Sequence, residues 1–192
     1  YEPALDLAME MIGYELFFRE TKPAARAEGR YLGLGLVCYV EGTGIGPYEG
    51  ARVQVQNNGR VSVATGIGTQ GQGHFTSFAQ IVADQLGVSP SDVDITTGDT
   101  DQFHWGAGTF ASRGAVVAGN AINEAARDVR QKILQLGSRR LDDVPDDHLE
   151  LVEGTVRIKG VPASAIPLGE LAQQANPMRG AVQPGTEPGL EA

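Results

Sequence analysis

The sequence predicts an α+β fold in which helices interleave with antiparallel hairpins. Three observations carry this reading. Apolar residues recur at helical spacing in several separate segments. Valines alternate with polar residues on both sides of Asn57, Asn58 and Gly59, and Asn-Gly between alternating runs is the strongest short hairpin signal. The succession of elements has no regular βαβ rhythm and no internal repeat.

Leu5, Ala8, Met9, Ile12 and Leu16 predict a first helix from Pro3 to about Arg19. The run "RYLGLGLVCYVEG", rich in aromatic and β-branched residues and bounded by glycine, predicts a buried strand opening into the loop "GTGIGPYEG". Cys38 would then be a buried, reduced thiol. Val53 and Val55 pair across the Asn-Gly turn with Val61 and Val63. After the loop "GTQGQGHF", Phe75, Phe78, Ala79, Val82 and Leu86 line one side of a helix that Gly87 ends. "VDITTGDT" reads as a strand. The glycine-rich "WGAGTFASRG" leads into a long helix from about Ala115 to Leu136, with Ala118, Ile122, Ala125, Val129 and Ile133 on one face. Arg139 and Arg140 follow, where a helix C-terminus favours cations. "HLELVEGTVRIKG" predicts a second hairpin turning at Glu153 and Gly154, and Pro167 opens a short helix. Residues 177–192 form a turn-rich tail, and residues 1–192 are expected to be a single partial domain.

With 192 residues, 41% of them hydrophobic, the chain can bury a core. Its formal charge of −9, with no cluster of Lys and Arg, excludes a nucleic-acid surface. A single cysteine excludes a disulfide framework and a Cys-based metal site. No stretch approaches the roughly 20 apolar residues of a membrane span, and the expected compartment is cytoplasmic. The chain starts at Tyr1 rather than Met and ends in "PGTEPGLEA", so a fragment of a longer polypeptide is expected.

Two loops concentrate the chemistry. Gly66, Gly68 and Gly71 match a G-x-G-x-x-G turn between a strand and a helix. The strand ahead of it belongs to the Asn-Gly hairpin, whereas a nicotinamide-dinucleotide turn belongs to a parallel βαβ unit. The acidic residue for the ribose has only Asp99, later than the usual spacing, so this is the weakest reading. Independently of that motif, glycines let backbone approach a ligand, a helix N-terminus presents N–H groups to an anion, and Gln70 and Gln72 offer carboxamides. Residue chemistry alone leaves both a ligand loop and a plain strand-to-helix turn open. The second loop, Gly106 to Gly114, again puts small residues, hydroxyls and Arg113 directly before a helix.

"GTQGQGHFTSFAQIVADQLGV", then "GDT", then "GTFASRGAVVAGNAI", together resemble the molybdopterin-binding large subunit of the molybdenum hydroxylases, the xanthine dehydrogenase and aerobic carbon monoxide dehydrogenase superfamily. "GRYLGLGLVCYVEGTGIGPYEGARV" ahead of them is similar to the same subunit. The resemblance implies that Gln70, Gly71, Gln72 and Gly73 bind the cofactor, and that Thr109, Phe110, Ala111, Ser112 and Arg113 lie against the pterin and its phosphate arm. His74 adjoins the first loop, and its position reads either as a cofactor-binding donor to a phosphate or as a helix N-terminal side chain facing its neighbours. The Gln-Gly-Gln-Gly form implies molybdopterin cytosine dinucleotide with molybdenum. Phe75 stands where many relatives carry an acidic residue.

The implied activity is hydroxylation of a carbon centre with water, with electrons leaving through 2Fe-2S clusters and FAD on partner domains or subunits. The family's general-base glutamate is expected beyond Ala192, so no catalytic residue and no direct metal ligand is expected in this chain. The implied partners are the rest of the molybdopterin subunit, an iron–sulfur subunit and an FAD subunit. A non-catalytic assembly module of a split enzyme is the alternative, favoured if the first helix and Leu34 to Val40 expose apolar faces.

Glu41 and Glu49 read as solvated loop carboxylates, and His104 and His148 lack ligand spacing. Phe103 and Trp105 read as packing beneath the glycine loop. Asp142, Asp143, Asp146 and Asp147 read as a solvated acidic loop.

Overall fold

The computed structural model describes residues 2–176, 178 and 188–192. They fall into two compact units, 1–40 and 41–192.

In the first unit, helix α1 (Glu2–Met11) stops where Gly13 turns into the left-handed region at φ 65°. The predicted continuous helix is therefore broken, and the chain resumes as α2 (Tyr14–Leu16), a wide π turn over Phe17–Thr21, and α3 (Lys22–Ala27). Pro23 in the first turn of α3 has no N–H to give the regular ladder, which suits a π turn ahead of it. Gly29, at φ 77°, closes α3, and the Arg30 N–H returns to the Ala25 carbonyl at 2.8 Å.

Residues 30–40 correct the sequence reading: they form no strand. Tyr31, Val37, Tyr39 and Val40 are exposed, and Cys38 is exposed rather than buried. Aromatic and β-branched composition favours a strand, but composition does not supply the neighbouring strand that would cover it.

The second unit holds the core. β1 (Ala51–Val55) and β2 (Val61–Thr65) form the expected hairpin, with Val53 opposite Val63. β2 leads through α4 (His74–Leu86) to β3 (Val93–Thr97), which pairs parallel with β2, Val63 opposite Ile95. This βαβ unit is the main topological departure from the sequence reading. β2 is the central strand and pairs antiparallel on one side and parallel on the other, so membership of a hairpin did not exclude a parallel neighbour.

A π turn over Gly114–Ala118 runs into α5 (Gly119–Arg140), which extends past the expected end at Leu136. β4 (Leu149–Val152), β5 (Thr155–Ile158) and β6 (Ile166–Pro167) make a second antiparallel sheet, and α6 (Leu168–Gln174) follows Pro167 as expected. Much of the 177–192 tail lies outside the described residues. Its last residues are not free turns: Leu190 is buried, and Val53 and Ala192 exchange N–H donations at 2.8 and 3.0 Å along the edge of β1.

One core joins both sheets and the helices between them. Val53, Val61 and Val63 of the first sheet meet Phe78, Val82 and Leu86 of α4 and Ile122, Val129 and Ile133 of α5. Val156 of the second sheet and Leu168 and Leu171 of α6 complete it. The face predicted for α5 is the buried one. On α4, Phe75 departs from its predicted place and is half exposed, whereas His74 in the same first turn is buried.

Candidate functional site

The C-terminal ends of β2 and β3 and the N-terminus of α4 set the position of the site. Beyond β2 the chain enters loop 66–73, and beyond β3 it enters the stretch that carries loop 106–113. The Gly98 N–H donates to the Thr65 carbonyl at 3.0 Å, holding the two exits together. Further along, the loops cross at two glycines. A Cβ on Gly66 would lie 1.7 Å from the Trp105 carbonyl oxygen, and one on Gly106 would lie 2.2 Å from that of Gly66. Only glycine permits two backbones this close. The Thr109 hydroxyl adds a short hydrogen bond to the Gly68 carbonyl.

Within the first loop, Gly71 and Gly73 take φ values of 99° and 84°, and a Cβ on Gly68, Gly71 or Gly73 would meet nothing within 4 Å. The Gln72 side-chain carbonyl folds back to accept from the Gln70 N–H at 2.7 Å and the Thr69 hydroxyl at 3.3 Å. The loop is thus shaped by its own carboxamide, while Gln70 remains exposed. His74 opens α4 and is buried, its ring stacked on Phe78 at 4.8 Å. Its Nδ1 is buried without a hydrogen-bond partner, and burial pushes its pKa below the ordinary imidazole value.

The second loop carries two consecutive non-glycine residues in the left-handed region, Ala111 at φ 46° and Ser112 at φ 50°. Such positions cost energy and persist where surrounding contacts fix them. Arg113 follows, completely buried, and pairs with Glu49. Its Nη1 also donates to the Gly108 carbonyl at 2.7 Å, its Nη2 donates to the Pro47 carbonyl, and its guanidinium lies 4.9 Å from the Phe110 ring centre.

Glu49 was read from the sequence as a solvated loop carboxylate. Instead it is buried, and its Oε1 also accepts the Ala107 and Gly108 N–H groups at 3.0 and 3.3 Å. Local sequence did not reveal this, because Glu49 and Arg113 are 64 positions apart and become neighbours only when the loops converge. Loop 41–50 thereby becomes the third component of the site. A Cβ on Gly50 would lie 2.6 Å from Phe103, so that ring packs on the loop, and Trp105 stacks on Tyr48 at 5.4 Å.

The structure therefore brings together Gly68 to His74 and Gly106 to Gly114. Among the described residues, no three His, Cys, Asp or Glu side chains gather as a metal site, and no helix is long and apolar enough to cross a membrane.

Paired glycine loops lie at the ends of strands in an α+β fold, one capping a helix and the other anchored by a buried ion pair. The family model for the molybdopterin cofactor-binding domain matches residues 7–191, and the chain belongs to that family.

The 6-hydroxypseudooxynicotine dehydrogenase complex subunit gamma of Paenarthrobacter nicotinovorans is 38% identical over 185 residues, covering 96% of this chain and 23% of its own length. The carbon monoxide dehydrogenase large chain of Afipia carboxidovorans is 32% identical, covering all of this chain and 25% of its own. Among solved structures, quinoline 2-oxidoreductase from Pseudomonas putida 86 superposes with a TM-score of 0.69 at 37% identity, over 97% of this chain and 25% of that one. The chain thus spans about a quarter of the length of the relatives it matches.

Proposed function

We propose that residues 1–192 are one part of a molybdopterin-binding domain and that the two glycine loops cradle a molybdopterin dinucleotide. The convergence of the loops at Gly66 and Gly106 carries this reading. The residues present fit such a group. Gly68, Gly71 and Gly73 leave open space at their Cα atoms, so backbone can approach a large polar ligand. A buried Nδ1 without a partner on His74 is suited to one polar contact.

In this reading Gln70 and Gln72 present carboxamides to the heterocycle, while Gly71 and Gly73 admit the backbone and His74 supplies a ring nitrogen. Thr109, Phe110, Ala111 and Ser112 form the second wall, against the pterin and its phosphate arm, with Arg113 buried behind it. When bound, the cofactor supplies the redox chemistry with which the complete oxidoreductase hydroxylates a carbon centre using water. In this reading the residues of this chain bind and orient it, and the catalytic base and the metal ligands come from elsewhere.

The finer reading is the cytosine dinucleotide form, with 2Fe-2S and FAD on partner subunits and a cytoplasmic location. A relative described as one subunit of a dehydrogenase complex supports a multi-subunit assembly.

Gln72→Ala in the complete protein tests the site. It is expected to lower molybdenum content by removing the acceptor that shapes the loop, an effect of about 1–3 kcal/mol. Molybdenum content equal to wild type would contradict the assignment.

A second reading, an assembly module without catalysis of its own, is favoured by the exposure of Tyr31, Val37, Tyr39 and Val40, each 80% or more. Residues 1–192 expressed alone would then self-associate, and Val37→Lys with Tyr39→Ser would restore a monomer by light scattering. A monomeric wild-type chain would count against it.

A further inference from the structure

We propose that Glu49 is a positioning residue for the cofactor cradle, setting through Arg113 the shape that loop 106–113 presents; this rests on the cofactor reading above. The family resemblance implies Arg113 as a cation for the phosphate arm, but its surroundings assign it elsewhere. The side chain is 0% exposed. Nη1 is divided between Glu49 and the Gly108 carbonyl, and Nη2 donates to Pro47. The Phe110 ring lies against the guanidinium. Only Nε lacks a partner, and it is buried, so no fork of donors is offered to an external phosphate.

Glu49 collects the other end of the same network. Its Oε1 accepts from Arg113, from the Ala107 N–H and from the Gly108 N–H, which ties loop 41–50 to both ends of the turn around Ala111 and Ser112. A further tether is the Gly44 N–H, which donates to the Ala111 carbonyl at 3.2 Å. These contacts hold two left-handed non-glycine residues that isolated chain would not keep. Loss of the carboxylate leaves a buried guanidinium without its counter-charge, and loss of the guanidinium leaves a buried carboxylate without its own. Either change should release the same turn.

The test uses the complete protein purified with its neighbouring subunits, in wild type, Glu49→Gln, Arg113→Ala and the double variant. Two readouts are taken: hydrogen exchange at the Ala107 and Gly108 amides, and molybdenum with released cytidine monophosphate. Each single variant is expected to accelerate both amides by on the order of tenfold or more and to lower the cofactor content. The double variant should be no worse than Arg113→Ala, as for a coupled pair. Continued protection of Val129 and Ile133 in α5 shows that the fold persists. If Glu49→Gln loses that protection, Glu49→Asp takes its place, because it keeps the charge and shortens the reach. Exchange at Ala107 and Gly108 equal to wild type in the Glu49 variant, with cofactor lost only in Arg113→Ala, would overturn the proposal and return Arg113 to direct phosphate contact. Wild-type protein without molybdenum or nucleotide would sink the cofactor reading instead, and the exchange at Ala107 and Gly108 would still decide whether Glu49 sets the loop.

Discussion

Gly66 and Gly106 cross backbone to backbone, each leaving no room for a methyl group on the other. Both obstructing groups are main chain, so no side chain can swing aside to relieve a substitution. Gly66→Ala is therefore expected to destabilise the protein by about 3 kcal/mol, at the upper end of overpacking effects, and to separate the two loops. Denaturant titration checks this, and a midpoint equal to wild type would contradict the crossing.

Gly114 makes room for the side chain of His74. A Cβ at Gly114 would lie 2.3 Å from the His74 Nε2, so Gly114→Ala should expel the ring from its stack on Phe78. The imidazole would then regain solvent, and its pKa should return upward toward the ordinary value. NMR titration of His74 follows the change; an unaltered titration in the variant would contradict the packing.

The same buried imidazole makes stability depend on pH. Its folded pKa lies below the unfolded value, near 6.5, so between the two the unfolded chain binds more protons. Stability is present above about pH 6.5 and declines as pH falls toward the lower folded pKa. His74→Gln should flatten that decline in urea midpoints measured from pH 7.5 downward. Parallel slopes for variant and wild type would show that His74 does not titrate on unfolding.

On the surface of the first sheet, the Asp94 carboxyl is held below its usual range, chiefly by hydrogen bonds from Arg60 at 2.7 and 2.9 Å. Its contribution is present above the ordinary carboxylate pKa and is lost as pH falls through the lower folded value. Both side chains face solvent, so the effect on stability is small. Arg60→Ala should raise the Asp94 pKa by NMR, and no movement would show that the contact does not persist in solution.

The elements that depend on local pattern were legible in the sequence. The Asn-Gly hairpin, the Glu153-Gly154 hairpin, the buried face of α5 and the Gly87 stop all follow from spacing and turn chemistry. The glycine loops were legible as a pair, but their crossing at Gly66 and Gly106 was not, because a close backbone approach leaves no periodicity. Glu49 was missed for a related reason: burial of a loop carboxylate depends on a partner 64 residues away. The strand predicted over residues 30–42 failed because apolar composition specifies a preference for pairing without providing the pairing strand. The parallel pairing of β2 with β3 was missed because one hairpin edge says nothing about the other edge of a central strand.

The central claim, that the paired loops hold a molybdopterin dinucleotide, is tested most directly by metal and nucleotide analysis of the complete protein, freshly purified with its neighbouring subunits. Molybdenum together with released cytidine monophosphate is the predicted result. Folded protein that contains neither would contradict the account.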